Sequence, residues 1–419
     1  MIYRFLRWYA RCGIKFFYKN VFIYNQTKID KNIPTIFSSN HPAGFYEAII
    51  LTTILKKPVY FLVRSDYVSI PALKWFFNII KLLPIYRQTE GLNNVKKNNE
   101  VFSEINNSLK KNAFIGIYPE GTTKYQFKLN PIKKGISRIA IGALKADIPY
   151  MKIIPTGFNF SQPDKFRSFL NIFIGTELTL TSNEIINKKD SVAIRELTSE
   201  INSKMHDVNI AISNTEKQNI FSKLQIILIN NQLRHNNFKT YSKNSALPKE
   251  LKIFSQKIEN MAPEQFSKLK KDTSQYFSIL QKEKINDFSV INDKVNILNT
   301  VSLILGLPLF IIGVILNILP VIPALIIVSK YTKVYEYKAV LKVLIAQFLY
   351  AIYYFIVLIT GFILFSYKGL ILIFLPLAAW YSLKYFDLLT EYFNSIKLAQ
   401  SSRKKEIQIL RNQITKIIS

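Results

Sequence analysis

The chain is organised around a strand-to-helix turn with the sequence Ser38-Ser39-Asn40-His41-Pro42-Ala43-Gly44-Phe45-Tyr46-Glu47. The turn follows the apolar run 33–37 and precedes the helical pattern 48–55, which predicts that its side chains point into a cleft. Glu47 comes six residues after His41, near enough along a helix for its carboxylate to accept a hydrogen bond from the imidazole. Such a carboxylate would fix the tautomer and leave the other ring nitrogen to take a proton from a hydroxyl. A structural histidine beside a solvated glutamate explains this short stretch equally well.

Short apolar runs alternate with longer helical patterns on both sides of this turn. Strands are predicted at 33–37, 59–63, 114–118, 152–158 and 171–174, and helices at 48–55, 71–82, 93–111 and 134–146. This alternation predicts an α/β domain with a largely parallel sheet. Catalytic groups in such a sheet gather at the strand ends.

The charge of the chain predicts an anionic partner. Its 419 residues include 56 lysines and arginines against 27 acidic residues, for a net charge of +29. No recognised nucleic-acid-binding motif accompanies this charge. We therefore expect an acidic membrane surface or phosphorylated substrates as partners, and no nucleic acid. Cys12 is the single cysteine, which rules out an intrachain disulfide and a cysteine-rich metal site.

Long uncharged stretches predict a membrane region at 295–387. Residues 295–329 and 343–367 carry no charge, and each is long enough to enter a bilayer. Asn317, Pro320 and Pro323 interrupt the first stretch, and lysines flank it on both sides, so a bent or re-entrant hairpin is expected. The second stretch predicts a span, and 370–385 a returning span. The flanking lysines predict that these stretches leave and return on the cytoplasmic side, which would put the α/β domain on the cytoplasmic face.

The N-terminal residues predict an amphipathic helix. Basic residues recur every three or four positions and form one stripe, beside a wide apolar and aromatic face: Arg4, Arg7, Arg11, Lys15 and Lys19. This pattern suits a helix lying in an anionic membrane interface. A helix packed on its own domain with snorkelling cations is the alternative.

Three more patterns follow His41 in order: Pro84-Ile85-Tyr86-Arg87, Ile117-Tyr118-Pro119-Glu120-Gly121-Thr122-Thr123 and Ile153-Ile154-Pro155-Thr156-Gly157. Together with the histidine turn they resemble the four motif blocks of the PlsC-like glycerolipid acyltransferases, the family of the lysophosphatidate and glycerol-3-phosphate acyltransferases. The resemblance covers roughly residues 30–175. The Pro-Glu-Gly-Thr block is its most specific part.

The resemblance implies that His41 and Glu47 are catalytic, with His41 as general base. It implies that Arg87 binds the phosphate of the acceptor and that Glu120, Gly121 and Thr122 shape the acceptor site, with Lys124 and Lys133 as further phosphate-binding candidates. No metal and no cofactor are expected. The co-substrate is an acyl thioester of coenzyme A or of acyl carrier protein, and the acceptor is a phosphorylated glycerol or a lysophospholipid.

Two departures from the family pattern concern the site. The usual aspartate position is Tyr46 here, and the acid is Glu47, one residue later. This longer spacing resembles the branch of the fungal glycerol-3-phosphate acyltransferases and their bacterial relatives, which carry aspartate there. Thr123 occupies the position where many members have arginine, and Lys124 is the candidate to replace that cation.

The expected architecture is an α/β acyltransferase domain with a mostly parallel mixed sheet flanked by helices. We expect an amphipathic helix at 1–28, the acyltransferase domain at 29–215, a polar helical region at 216–294, the membrane region at 295–387 and a basic helical tail at 388–419. The expected function is acyl transfer from a thioester to a glycerol-phosphate-type hydroxyl in phospholipid biosynthesis. A lysophospholipid or aminolipid acyltransferase and an inactive lipid-binding membrane scaffold remain the alternatives.

Overall fold

The computed structural model describes residues 1–25, 29–55, 57–68, 70–86, 96–235, 241–243, 245–291 and 297–418. Within them, nine strands form one mixed sheet in the order β4-β3-β5-β2-β6-β7-β1-β9, with β8 paired to β6. The strands are β1 Asn20–Tyr24, β2 Thr35–Ser39, β3 Val59–Arg64, β4 Leu82–Ile85, β5 Phe114–Ile117, β6 Tyr150–Phe160, β7 Phe169–Ile174, β8 Leu178–Thr181 and β9 Tyr241–Lys243.

Five neighbouring strands, from β4 to β6, run parallel, so their carboxyl ends meet at one edge of the sheet. On the other side of β6, strand β7 is antiparallel to it and runs parallel to β1. The predicted mostly parallel mixed sheet is therefore confirmed. β2 is buried along its whole length at the centre of the parallel part, and His41 follows its carboxyl end.

Helices cover both faces of the sheet. The first layer packs on Ile115 and Ile153 of the sheet through buried residues of its helices, such as Val101, Ala140 and Leu197. That layer consists of α4 Asn98–Lys110, α5 Gly135–Lys145, α6 Ser182–Ile186 and α7 Asp190–Val208. The opposite layer contains α1 Ile2–Phe17, α2 Tyr46–Ile54 and the start of α14 Tyr335–Phe365.

The N-terminal helix is shorter than the predicted 1–28. It ends at Phe17, and β1 then joins the sheet beside β7, so the sheet includes residues before the predicted domain start at 29. Apolar residues on both faces of β1 are buried, which makes it an internal strand. The exposed face of α1 carries Ile2, Phe5 and Trp8, while Tyr9 and Gln347 of α14 exchange two hydrogen bonds of 2.6 Å. The helix therefore combines an exposed apolar surface with packing on its own chain.

The predicted helix at 71–82 is wrong in its last three residues. A short 3-10 turn at Pro71–Leu73 leads into α3 Lys74–Ile79, and Leu82–Ile85 pairs with β3 as strand β4. Lys81 adopts a positive φ of 63°, which ends the helix and turns the chain into the sheet.

The region predicted as separate and polar, 216–294, shares a hydrophobic core with the sheet. Phe22 of β1 and Phe169 of β7 pack among its buried residues. Its helices are α8 Thr215–His235, α9 Leu247–Glu259, α10 Pro263–Glu283 and α11 Asp287–Ile291.

The basic tail packs on this same core and is not a free extension. Its helix, α16 Lys404–Ile418, buries Arg411, which donates to both carboxylate oxygens of Asp287 at 2.9 and 3.2 Å. Tyr276 and Asn230 donate to the same carboxylate at 2.6 and 2.9 Å. The boundary predicted at 387 also falls inside one continuous helix, α15 Leu375–Gln400.

Two helical stretches, Ile297–Asn317 and Tyr335–Gln400, are long and apolar enough to cross a membrane. The first is α12, which is followed after a break near Pro320 by α13 Val321–Tyr331. The second comprises α14, a 3-10 segment Ser366–Phe374, and α15. Large apolar side chains on these helices are exposed, including Phe355 and Ile363, as expected for surfaces that face lipid.

Backbone carbonyls freed at the break between α12 and α13 have side-chain partners on α14. Tyr350 donates to the carbonyl oxygen of Asn317 and Tyr353 to that of Leu316, both at 2.6 Å, and Tyr354 donates to Asn317 Oδ1 at 2.7 Å. Broken helices within a bilayer need such internal partners because lipid offers none.

Candidate active site

His41 lies at the carboxyl edge of the sheet because β2 ends two residues before it. In the sheet register, Ser38 faces Ile117 of β5 and Ser39 faces Thr156 of β6. The loop that leaves β5 therefore emerges next to His41, while β6 continues past this point to Phe160. Ligands of open α/β sheets bind in the crevice outside such carboxyl ends.

Asn40 directs the chain as it leaves β2. Its carboxamide oxygen accepts from the backbone N–H of Phe158 at 2.7 Å, and its amide nitrogen donates to the Phe158 carbonyl at 3.0 Å. These two bonds mimic the pair of backbone hydrogen bonds that join neighbouring strands, so the Asn40 side chain attaches the turn to β6. The asparagine before the histidine thus has a structural role.

The structure brings His41 and Glu47 together. His41 Nδ1 lies 3.4 Å from Glu47 Oε2, and the glutamate side chain is fully buried while that of the histidine is 18% exposed. The other carboxylate oxygen, Oε1, accepts a hydrogen bond from the backbone N–H of Ala43. Gly44, with φ of +67°, provides the tight turn between them. The six-residue spacing is therefore compatible with contact, because the turn folds back before α2 begins.

Tyr118 forms one wall of the site and was missed by sequence reasoning. Its ring stacks on the imidazole of His41 with 4.2 Å between centroids and 14° between planes, and Phe61 stacks behind it. Burial, with a contribution from the charge of Glu47, raises the pKa of Tyr118 well above its usual value. The phenol therefore keeps its proton, and its ring supports the imidazole by stacking. Its place at a strand end next to Pro119 was the available signal.

Glu120 connects the histidine turn to the loop that follows β5. Its Oε1 accepts from the backbone N–H of His41 at 3.1 Å, and its Oε2 accepts from Asn130 through the backbone N–H at 2.9 Å and the side-chain amide at 2.6 Å. Burial raises the pKa of Glu120, while these hydrogen bonds act in the opposite direction. Because protein donors occupy both oxygens, Glu120 shapes the site by holding its backbone.

Gly121 and Lys133 are in close contact. Gly121 has φ of +63°, and a Cβ placed there would lie 2.8 Å from Lys133 Nζ. The backbone N–H of Lys133 donates to the Pro119 carbonyl at 2.9 Å. The positive φ favours glycine at this position, and the missing side chain leaves room for the ammonium group of Lys133 beside the loop.

Lys124 lies beside the histidine. Its backbone N–H donates to the His41 carbonyl at 3.2 Å, and its side chain is exposed, as is that of Thr122. A small polar pocket next to His41 is lined in part by Glu120, Lys124, Lys128 and Asn159. Lys128 was not among the candidates from the sequence, since its spacing matches no motif.

Arg87 lies outside the residues that the structure describes. Strand β4, which precedes it in the chain, ends at Ile85, at the same edge of the sheet as His41. In the described part of the chain, no group of three or more histidine, cysteine, aspartate or glutamate side chains is arranged to hold a metal ion.

Comparison with known proteins identifies residues 20–159 as a match to the family model described as Acyltransferase. Glycerol-3-phosphate O-acyltransferase 2 of Saccharomyces cerevisiae is 32% identical over 132 residues, which are 31% of this chain and 17% of that protein. Glycerol-3-phosphate O-acyltransferase 1 of the same yeast is 30% identical over 122 residues, 28% of this chain and 16% of that protein. The match therefore spans less than a fifth of either relative.

Among solved structures, the 1-acyl-sn-glycerophosphate (LPA) acyltransferase PlsC from Thermotoga maritima aligns over 48% of this chain and 80% of its own, at 13% identity and a TM-score of 0.34. The family match coincides with the region that contains β1 to β6 and the histidine turn. Residues 20–159 therefore form a domain that matches the Acyltransferase family model and is similar to part of two glycerol-3-phosphate O-acyltransferases of yeast.

Proposed function

We propose that this protein is a membrane acyltransferase that moves a fatty acyl group from an acyl thioester to a hydroxyl of a glycerol-phosphate-type acceptor in phospholipid biosynthesis. The observation that carries the proposal is the contact between His41 Nδ1 and the buried carboxylate of Glu47, at the carboxyl edge of an acyltransferase domain. The names of the two yeast relatives support glycerol 3-phosphate as the acceptor.

The geometry supports general-base chemistry at His41. Because Nδ1 faces the carboxylate, we assign the ring proton to Nδ1, which leaves Nε2 free to accept a proton. The acceptor hydroxyl loses its proton to Nε2 as its oxygen attacks the thioester carbonyl, the C–O bond forms and the C–S bond breaks. His41 then returns the proton to the leaving thiolate. Glu47 holds the ring and balances the imidazolium charge, as the carboxylate of a hydrolase triad does.

Cations near His41 would bind the acceptor phosphate. Lys124 and Lys128 line the pocket beside the histidine, and Lys133 lies over Gly121. Lys124 would replace the cation that Thr123 does not supply. Arg87 adds a planar donor that can grip a phosphate with two parallel hydrogen bonds. Glu120, Gly121 and Thr122 would shape the pocket around the glycerol.

The acyl donor would be a thioester of coenzyme A or of acyl carrier protein. Such carriers are water-soluble, whereas the acylated product partitions into lipid. We therefore place the active site at the cytoplasmic membrane face, on the side where lysines flank α12, α13 and α14. The candidate spans and the exposed apolar face of α1 support this location.

The test is to purify the full chain, reconstitute it into vesicles of phosphatidylethanolamine and phosphatidylglycerol, and supply a labelled acyl thioester. Glycerol 3-phosphate, lysophosphatidate and an aminolipid serve as acceptors, and products are resolved by mass. We expect acylated glycerol 3-phosphate with wild type and none with His41→Ala. Product from another acceptor alone would correct the acceptor, and no product with any acceptor and either carrier would favour the inactive scaffold.

A further inference from the structure

The first turn of α14 lies directly on the histidine turn, although it is far outside the matched acyltransferase region. A Cβ added to Gly44 would lie 2.8 Å from Cδ1 of Tyr337 and 3.3 Å from the carbonyl oxygen of Glu336. Gly44 belongs to the segment between His41 and Glu47. The backbone that sets their contact is therefore covered by the beginning of a helix that continues into the membrane region.

Glu336 reaches the loop after the Pro-Glu-Gly-Thr block. Its Oε1 accepts from the backbone N–H of Tyr125 at 3.1 Å. The preceding residue, Lys124, donates its backbone N–H to the carbonyl of His41 at 3.2 Å. The adjacent residues Lys124 and Tyr125 thus connect the backbone of His41 to the carboxylate of Glu336 through two hydrogen bonds.

Tyr337 contacts three loops at once. Its hydroxyl forms a hydrogen bond with the side chain of Thr123 and lies 3.5 Å from the hydroxyl of Tyr67. Its ring packs on Gly44 and lies 6.3 Å from that of Phe45. These contacts join the histidine turn, the loop after β5 and the segment after β3.

The next turns of α14 anchor this arrangement in the catalytic domain. Ala339 and Val340 are fully buried in the core that also contains Tyr46 and Leu51 of α2. The helix then continues without a break to Phe365, with large exposed apolar side chains such as Phe348. One rigid element therefore links the lipid-facing surface to the active-site loops.

We propose that Glu336 and Tyr337 are positioning residues for acyl transfer, which make the geometry of the His41 turn depend on the membrane helix α14. The proposal rests on the proposed function of the site. Neither side chain is placed at the reacting atoms. They act by holding the 43–45 and 121–125 loops against each other, and small displacements of a catalytic group are enough to lower a rate strongly.

The test uses the full chain in vesicles, with acyl transfer measured for wild type, Glu336→Ala, Glu336→Gln, Tyr337→Leu and Tyr337→Phe. Tyr331→Phe is the matched control, since Tyr331 is exposed at the end of α13. Glu336→Ala should lower kcat about tenfold or more with a smaller change in KM for the acceptor. Glu336→Gln should recover most of this loss, because its side-chain oxygen can still accept from Tyr125.

Tyr337→Leu should lower kcat more than Tyr337→Phe, which loses the hydroxyl but keeps the ring over Gly44. The pH profile of kcat/KM should also shift in Tyr337→Leu, because the turn under this ring holds Glu47 against His41. A variant that is only less stable would show lower activity at every pH but the same pH dependence of kcat/KM as wild type. Thermal unfolding of each variant separates the two cases.

Wild-type kinetics and an unchanged profile in both Glu336→Ala and Tyr337→Leu would overturn the inference. Equal losses in Glu336→Gln and Glu336→Ala would also contradict the role of the Tyr125 contact. If wild type itself transfers no acyl group, the proposed function fails instead. If His41→Ala is inactive while the α14 variants behave as wild type, only the inference about α14 fails.

Discussion

The imidazole of His41 lies 3.4 Å from the fully buried carboxylate of Glu47, measured from Nδ1 to Oε2. The carboxylate is held on its other side by the backbone N–H of Ala43. A charge buried without a partner would be expensive, so the pair and the turn support each other. The contact needs the left-handed glycine at position 44 and the early start of α2 at Tyr46.

Replacing His41 with alanine should reduce kcat by about 10²–10⁴-fold, because the base that takes the acceptor proton is lost. The protein should remain folded and bound to membranes, because the backbone N–H of Ala43 still holds the carboxylate of Glu47 and the helices of the membrane region are unchanged. Acyl transfer and vesicle flotation measure the two effects. Turnover within tenfold of wild type would remove His41 as the general base.

Glu47→Gln should lower kcat by about 10²–10⁴-fold and change KM much less. The amide keeps the shape of the side chain but loses the charge that balances the imidazolium. The kcat of Glu47→Asp should lie between those of wild type and Glu47→Gln. Its shorter side chain, by about 1.5 Å, cannot reach both Ala43 N–H and His41 from the same backbone. Steady-state kinetics of the three proteins provide the measurement. A harmless Gln variant would show that the carboxylate does not assist His41, and an Asp variant as fast as wild type would show that the turn adjusts to the shorter acid.

Arg87→Lys should weaken the use of phosphorylated acceptors, since a point charge replaces a planar fork. We expect KM for glycerol 3-phosphate to rise about tenfold, with kcat changed less. Lys133→Gln tests the lysine beside Gly121 in the same way, and Lys134→Gln is its control at the next residue, which is also exposed. An unchanged KM in Arg87→Lys would leave that arginine without a role in phosphate binding.

The tyrosines of α14 that contact the break after Asn317 should stabilise the membrane hairpin. Tyr350→Phe with Tyr354→Phe removes two hydrogen bonds to Asn317, worth about 0.6–2 kcal/mol each in a membrane protein. The double variant should unfold at a lower temperature in detergent than wild type. Tyr367→Phe, at an exposed position, is the control. Equal unfolding temperatures for all three would indicate that the break is satisfied in another way.

Topology follows from the length of α13. Its 11 residues extend about 16 Å, half of a hydrocarbon core of about 30 Å, so the break near Leu319 should lie inside the bilayer. Single cysteines in a Cys12→Ser background test this with a membrane-impermeant thiol reagent. Lys333→Cys and Ser402→Cys should label only in opened cells, Lys368→Cys in intact cells, and Leu319→Cys in neither. External labelling at Leu319 would mean that α12 crosses completely.

The motif residues were recognisable in the sequence because their chemistry is local. A strand-to-helix turn with Asn40, His41 and a nearby acid can be recognised from the adjacent residues alone. The uncharged stretches of the membrane region were equally clear, since lipid selects composition over a whole helix. Alternation of apolar runs and helical patterns was sufficient for the α/β sheet.

Errors arose where the same local pattern fits two structures. Asn20–Tyr24 continues the apolar character of α1, and only pairing with β7 makes it a strand. Leu82–Ile85 extends a helical pattern, and only β3 beside it makes it a strand. In both cases hydrogen bonds to a distant part of the chain override local preference.

Patterns among residues close together in the chain were sufficient to predict the family motifs, the mostly parallel sheet and helices long and apolar enough to cross a membrane. Tertiary structure alone decided that Tyr118 stacks on His41, that Glu120 is occupied in holding the backbone, and that Arg411 of the tail pairs with Asp287. It also brought Glu336 and Tyr337 onto a turn almost three hundred residues earlier. Contacts between residues so far apart leave no periodic or spacing signal in a single sequence, since packing in three dimensions alone creates them.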